Sequence, residues 1–158
     1  MDADSIIISI RKILRSVNLE SKRIQKEHGL SIPQLLVLTY LNNQPEFKAT
    51  HKEVTKYLNL NSSTITGIIS RLEKKDYIIR KVNPDDRRVS YIALTALGQK
   101  LLQSTPKLMH ERLAHKLKEA DPSKVQELEK AFNLVIEFMG IEDVEASPLI
   151  TVDEIPES

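Results

Sequence analysis

The chain has no cysteine, no tryptophan and only four glycines in 158 residues, and aromatic side chains make up just 4% of it. Without cysteine there is no disulfide, no thiolate metal ligand and no thiol-based sensor of oxidants. With so few aromatics, the 41% hydrophobic fraction must build a core from Leu, Ile and Val. Scarce glycine points the same way, to packed helices. No apolar run approaches the roughly 20 residues that cross a bilayer, so no membrane segment is expected. The first residues, MDADSIIISIRK, carry acid where a secretory leader carries base, and a cytoplasmic location is the expectation. The length suits one domain, or one domain with added dimerisation helices.

A charge excess of one sign is also missing, since the net charge is only +1. Its distribution is uneven, however. Residues 50–95 hold nine Lys or Arg against five Asp or Glu, whereas residues 140–158 hold six acids and no base. Charge on helices is usually a solvated face, so the basic excess gains meaning only from the elements that carry it.

The first helix is expected from about Ser5 to Lys26, because Ile6, Ile10, Ile13, Val17 and Ile24 recur at helical spacing and Leu14 broadens the stripe. His28-Gly29-Leu30 breaks it. Ser31 then caps a second helix, with Gln34 reaching back to the capping amide and Pro33 in a first turn that needs no donor there. Leu35, Leu38 and Leu41 define its buried face. Asn42 to Lys48 reads as a polar connection, and Thr50-His51-Lys52-Glu53 as a second capping box. That box opens a short helix through Leu58, with Val54, Tyr57 and Leu58 inside.

Asn61 is expected to cap a helix over Ser62 to Lys75. At 100° per residue, Ile65, Ile68, Ile69 and Leu72 gather on one side. Ser63, Gly67, Ser70 and Lys74 fall opposite, flanked by Thr66 and Arg71. An ordinary solvated face would carry Glu and Lys, so this small, hydroxylated face is a poor choice for helix stability alone. Small residues do let a backbone approach something closely. A DNA major groove, about 12 Å wide, admits a helix and offers base edges and thymine methyls to hydroxyl and methyl groups.

Tyr77 to Val82 follows as a strand, Asn83-Pro84-Asp85-Asp86 as a type I turn, and Val89 to Leu94 as a returning strand. Arg87 and Arg88 at the tip have two readings, held together here. They pair with Asp85 and Asp86 to brace the loop, and they offer cations to the negative potential of a minor groove. The order of elements is a winged helix-turn-helix, mainly α with a small β-hairpin wing, and implies a reader of double-stranded DNA.

Beyond it, Thr95 caps a helix that Pro106 must interrupt or kink. Leu108, Leu113 and Leu117 continue an apolar stripe. Asp121-Pro122 restarts a helix striped by Val125, Leu128, Phe132, Val135, Ile136 and Met139 and ended by Gly140. Two such stripes, with that of the first helix, need a partner surface, and a second copy of the chain is the economical source. Twofold symmetry then sets two reading helices roughly 34 Å apart, one DNA turn. Nothing argues for catalysis. The histidines at 28, 51, 110 and 115 share no ligand spacing and read as surface or helix-end residues, and no phosphate loop or nucleophile elbow is present. The four tyrosines, 40, 57, 77 and 91, read as core or edge residues.

The chain resembles the MarR (multiple antibiotic resistance) family of bacterial regulators over roughly residues 5–140. The phrases that carry it are Gly29-Leu30-Ser31 with Pro33-Gln34 and Val37-Leu38, Ser70-Arg71-Leu72-Glu73 with Tyr77-Ile78, Asn83-Pro84-Asp85-Asp86-Arg87-Arg88 in the wing, and Leu94-Thr95 with Gly98. Asp76 departs from it, standing where the family commonly has Gly. The resemblance implies a homodimer of winged-helix protomers joined by N- and C-terminal helices. It also implies a palindromic operator and, usually, repression until a small-molecule effector arrives. It places Arg88 at a wing position that braces the loop and enters the minor groove, and Ser62, Ser63, Thr64 and Thr66 at the groove-facing start of the recognition helix. The expected DNA-contacting set is completed by Lys52, Arg71, Arg80, Asp86 and Arg87. Effectors in the family settle between the dimer helices and the reader, for which Arg11, Arg15, His28, Gln34 and Tyr40 are the candidates. The wording of residues 21–38 resembles a branch that controls synthesis of compatible solutes such as ectoine. No metal or other cofactor is implied.

The expected division is therefore residues 1–30 as a dimerisation helix, 31–95 as the winged helix-turn-helix, 96–140 as further dimerisation helices, and 141–158 as a flexible acidic tail. Two rival readings remain. A winged helix serving only as a protein-interaction or dimerisation module would show an apolar outer face on residues 62–75 and no cation at the wing. The accessory domain of an enzyme such as a methyltransferase would be joined to a catalytic domain.

Overall fold

In the computed structural model, residues 3–146 are described, and they begin with one 26-residue helix, α1 (Ala3–His28). Gly29, at φ +65°, ends it. Ser31 caps α2 (Ile32–Asn42) with both halves of the expected box: Gln34 N donates to Ser31 Oγ at 3.3 Å, and Ser31 N donates to Gln34 Oε1 at 3.1 Å. The expected face of three leucines is too narrow. Every residue from Ile32 to Leu38 is buried, as is Leu41, because α2 is the central post against which the first helix, the three helices that follow α2 and the sheet all pack. A helix enclosed over its first two turns has no polar face there, and of Ile32–Leu38 only Gln34, held in the capping box, is polar. Each enclosed Leu or Ile contributes about 1.5–3 kcal/mol.

The connection after α2 is more ordered than its polar composition implies. One 3-10 turn at Pro45–Phe47 holds both Glu46 and Phe47 at φ +56° and leads into a three-residue strand, β1 (Lys48–Thr50). Two left-handed non-glycine residues cost about 1 kcal/mol each. The Lys48 ammonium, 2.6 Å from the Glu46 carboxylate and 4.8 Å above the Tyr91 ring, secures the conformation. That hydrogen bond holds the Glu46 carboxyl below its ordinary pKa and Lys48 above its own.

Thr50 caps α3 (His51–Leu58) through the second capping box, with Glu53 N donating to Thr50 Oγ1 at 3.1 Å and Thr50 N donating to Glu53 Oε2 at 2.8 Å. Asn59, left-handed at φ 52°, ends α3, and Asn61 caps α4 (Ser62–Lys74) by accepting from Thr64 N at 2.8 Å. Ile65, Ile68, Ile69 and Leu72 of α4 are all buried, as expected. Tyr57 is not the inner residue expected of it. It is half exposed and lies flat against Tyr40 of α2, ring centroids 4.4 Å apart and planes 21° from parallel.

A hairpin of β2 (Ile78–Val82) and β3 (Ser90–Leu94) completes the sheet. All pairing is antiparallel in the order β1-β3-β2, with Ala49 opposite Ile92 and Ile79 opposite Ala93. Thr95 caps α5 (Ala96–Ser104), which stops short of Pro106 as expected. The chain divides into two compact units at Pro106–Lys107. The second contains α6 (Met109–Glu119) and α7 (Pro122–Met139), the latter capped by Asp121 and ended by left-handed Gly140. Ser123 N donates to the Asp121 carboxylate and lowers its pKa. No helix among the described residues is long and apolar enough to cross a membrane.

Two apolar stripes stand exposed among the described residues. On α1 only Ile24 is buried, while Ile6, Ile13 and Leu14 are exposed. No residue of α7 is buried, and Phe132 and Phe138 are 50% and 80% exposed. Most of the acidic tail, residues 147–158, lies outside the described residues.

Candidate nucleic-acid interface

The helix pair α3–α4 and the β2–β3 hairpin present one set of polar groups. Ser62, Ser63 and Thr66 are exposed on the first two turns of α4, with Thr64 half-buried beside them. Several of these hydroxyls are already committed. Ser63 Oγ donates to the Asn61 side chain at 2.8 Å, and Thr66 Oγ1 donates to the Ser62 carbonyl at 2.9 Å. Thr66 Oγ1 also lies 3.0 Å from His51 Nε2, so what remains unengaged on Thr66 is its methyl group.

His51 is the residue that sequence pattern could not single out. It looked like a helix-end histidine, yet its ring is the polar tie between the two helices of the motif. Nε2 meets Thr66 and Nδ1 lies 3.3 Å from Thr55 Oγ1, while Thr55 donates its own proton to the His51 carbonyl at 2.8 Å. Both threonine hydroxyls give their single protons to backbone carbonyls. Which of the two hydroxyls accepts from the ring depends on the imidazole tautomer. Its only sequence signal is position: the first residue of a capped helix in a helix-turn-helix pair.

At the wing, the hydrogen-bonded turn is displaced from the expected Asn83–Asp86 to Asp86–Val89, with Val89 N donating to the Asp86 carbonyl at 3.0 Å. Arg87 and Arg88 thus occupy the two corners. The cause is side-chain competition for the backbone. Asn83 Oδ1 accepts from Asp85 N at 2.9 Å and Asp86 Oδ1 from Arg88 N at 3.0 Å, so the Asn83 and Asp86 side chains turn inward on amides. The expected bracing pairs of Arg87 and Arg88 with Asp85 and Asp86 do not form. Among the described residues neither arginine has an ion pair, and both are exposed.

Arg80 behaves differently. Its Nε donates to Glu73 Oε2 at 2.7 Å, tying β2 to α4. It is engaged with Glu73 instead of standing free. Lys52 is exposed on the first turn of α3, and Arg71 is exposed on α4.

The effector candidates are not gathered in one place in the described chain. Arg11 and Arg15 are exposed on α1, about 20–26 Å along the helix from His28. Gln34 is consumed by its capping box, and Tyr40 by its stack on Tyr57. Burial, then the charges of Glu53 and Tyr57, raise the Tyr40 pKa. His28 Nε2 is buried with no hydrogen-bond partner among the described residues, 3.9 Å from the Glu27 carboxylate. No cluster of three or more His, Asp or Glu positioned for a metal occurs among the described residues.

A capped helix pair followed by a two-stranded wing, on a core that leaves the second helix's polar face bare, defines a winged helix-turn-helix protein. Residues 20–105, more than half of the sequence, match the profile of the transcriptional regulator SarA/Rot family. The chain belongs to the SarA/Rot family of transcriptional regulators. The HTH-type transcriptional regulator MhqR of Bacillus subtilis is 30% identical over 97 residues, which span 61% of this chain and 66% of MhqR. The fold is shared with Sco3205, a MarR family transcriptional regulator of Streptomyces coelicolor solved in complex with DNA. The two superpose at TM-score 0.62 with 21% identity, over 92% of this chain and 93% of that one. MepR of Staphylococcus aureus, also solved as a DNA complex, superposes at 0.63 with 18% identity, over 87% and 98%. Expectation and comparison thus agree on a regulator of MarR-type architecture.

Proposed function

We propose that the protein is a cytoplasmic, homodimeric, sequence-specific DNA-binding regulator that represses from a palindromic operator until a small-molecule effector releases it. Helix α4 enters the major groove and the wing arginines enter the flanking minor groove. The observation that carries the reading is the wing tip. Arg87 and Arg88 stand at the two corners of a tight turn, exposed and free of ion pairs among the described residues. The Asp86 carboxylate is occupied with the Arg88 backbone amide, so the guanidiniums are available to phosphates and to a narrow groove. Lys52, Ser62, Ser63, Thr64, Thr66 and Arg71 supply the remaining contacts, with Asp86 shaping the wing and Arg80 holding it on α4.

The uncovered stripes of α1 and α7 support self-pairing, with residues 1–30 and 96–140 as the joining elements and 31–95 as the reader. Apolar outer residues on α4 and a neutral wing, the marks of a pure interaction module, are both missing from the described surface. Selection of bound sequences from random duplexes tests the reading. A palindrome with half-sites about one helical turn apart is the expected product. No enrichment at low ionic strength, from a chain that stays monomeric, would sink the proposal.

A further inference from the structure

Of the four glycines, Gly67 is the one whose missing side chain has no cause inside this chain. Gly29 and Gly140 sit at φ +65°, and a Cβ on Gly98 would collide with the Tyr77 carbonyl oxygen. Gly67 lies in the middle of α4 with ordinary helical backbone, and a Cβ there would meet only Arg71 Nη1, at 3.8 Å. That is ordinary contact with the far end of a flexible side chain. Neither packing nor backbone demands glycine, yet glycine weakens a helix interior relative to alanine.

We propose that Gly67 is a specificity-determining residue, its missing side chain leaving room for the 5-methyl group of a thymine to reach the backbone of α4. The inference rests on the DNA-reading function proposed above and names what that surface reads at its centre. The neighbouring group has the matching chemistry. Thr66 has spent its hydroxyl on Ser62 and His51, so its methyl is what remains for a partner. Together the two positions offer a shallow seat of methyl and backbone surface beside the flexible Arg71 side chain, which suits the methyl group of thymine.

The test uses the full chain, the duplex enriched by the wild-type protein, and the variants Gly67→Ala and Gly67→Leu. Gly67→Ala should raise the melting temperature by about 2–4 °C, because it improves the helix and clashes with nothing. It should weaken binding to the selected duplex by about tenfold, with Gly67→Leu weaker still and non-specific affinity unchanged, since phosphate contacts govern the latter. Replacing thymine by uracil throughout the duplex should cost the wild type several-fold and cost Gly67→Leu nothing further. A lowered melting temperature for Gly67→Ala would make the glycine structural and overturn the proposal. So would unchanged affinity and base preference in the variants, or indifference of the wild type to uracil, while the DNA-reading function stands. A wild type that enriches no sequence removes both.

Discussion

Replacing Gly98 by alanine probes the joint that holds the wing to the helical core. The added Cβ would lie 2.7 Å from Leu94 Cδ1 and 3.2 Å from the Tyr77 carbonyl carbon, besides colliding with that carbonyl's oxygen. Carbon pairs settle at about 3.5–4.0 Å, so roughly 1 Å must be found. Leu94 can rotate away, but the Tyr77 carbonyl is backbone and accepts from Thr95 N at 3.0 Å. Losing that bond costs about 1 kcal/mol. Overpacking adds about 1–3 kcal/mol, and alanine's better helix propensity returns up to about 1 kcal/mol. The net expectation is a destabilisation of about 1–3 kcal/mol, read as a lower urea midpoint with an unchanged slope. Stability equal to or above the parent would refute the steric reasoning, and with it the distinction between this glycine and Gly67.

Asp76 stands at φ +61° in the exit from α4, a position that suits glycine. Asp76→Gly should therefore raise unfolding free energy by about 0.5–1 kcal/mol, and a loss in chemical denaturation would count against the strain. Arg88→Ala should weaken DNA binding across all sequences and lower the salt slope of log affinity by about one unit, whereas an unchanged slope would remove Arg88 from the minor groove. Tyr40 has its pKa raised above 10.0 by burial and by Glu53. The folded state thus holds its proton longer than the unfolded one, so stability is intact below about pH 10 and falls as pH rises through the raised value. Tyr40→Phe should flatten that alkaline decline in denaturation curves taken between about pH 9 and 11, and an identical decline would mean that another group titrates.

What was legible in the sequence is what local chemistry determines. Ser31 with Gln34, Thr50 with Glu53, Asn61, Thr95 and Asp121 each bond to amides within three residues, so their caps could be placed without knowing the fold. The buried side of α4 followed from helical period alone. What was not legible depends on partners far along the chain. Three residues, Lys48–Thr50, become a strand only because Tyr91–Ala93 lies beside them. Arg80 looks like a free cation until α4 brings Glu73 within 2.7 Å. The wing turn moved because the Asn83 and Asp86 side chains take the amides of Asp85 and Arg88, a contest that residue preferences do not decide. The resemblance in Leu94-Thr95 and Gly98 is now physical: Thr95 Oγ1 donates to the Asp76 carbonyl at 2.6 Å and accepts from Gly98 N at 3.0 Å, fastening the exit of α4 to the start of α5.

Lys75, just past the end of α4, donates from Nζ to the Gly29 carbonyl at 2.5 Å, across 46 positions of sequence. A cation at that spot also complements the negative end of α1. Mechanically, the bolt makes α1 a lever arm, with Ile24 and Leu30 as its fulcrum and roughly 35 Å of rod between Ile6 and Gly29. The same ammonium fastens the base of that rod to the trailing turn of α4, the element that carries the polar face.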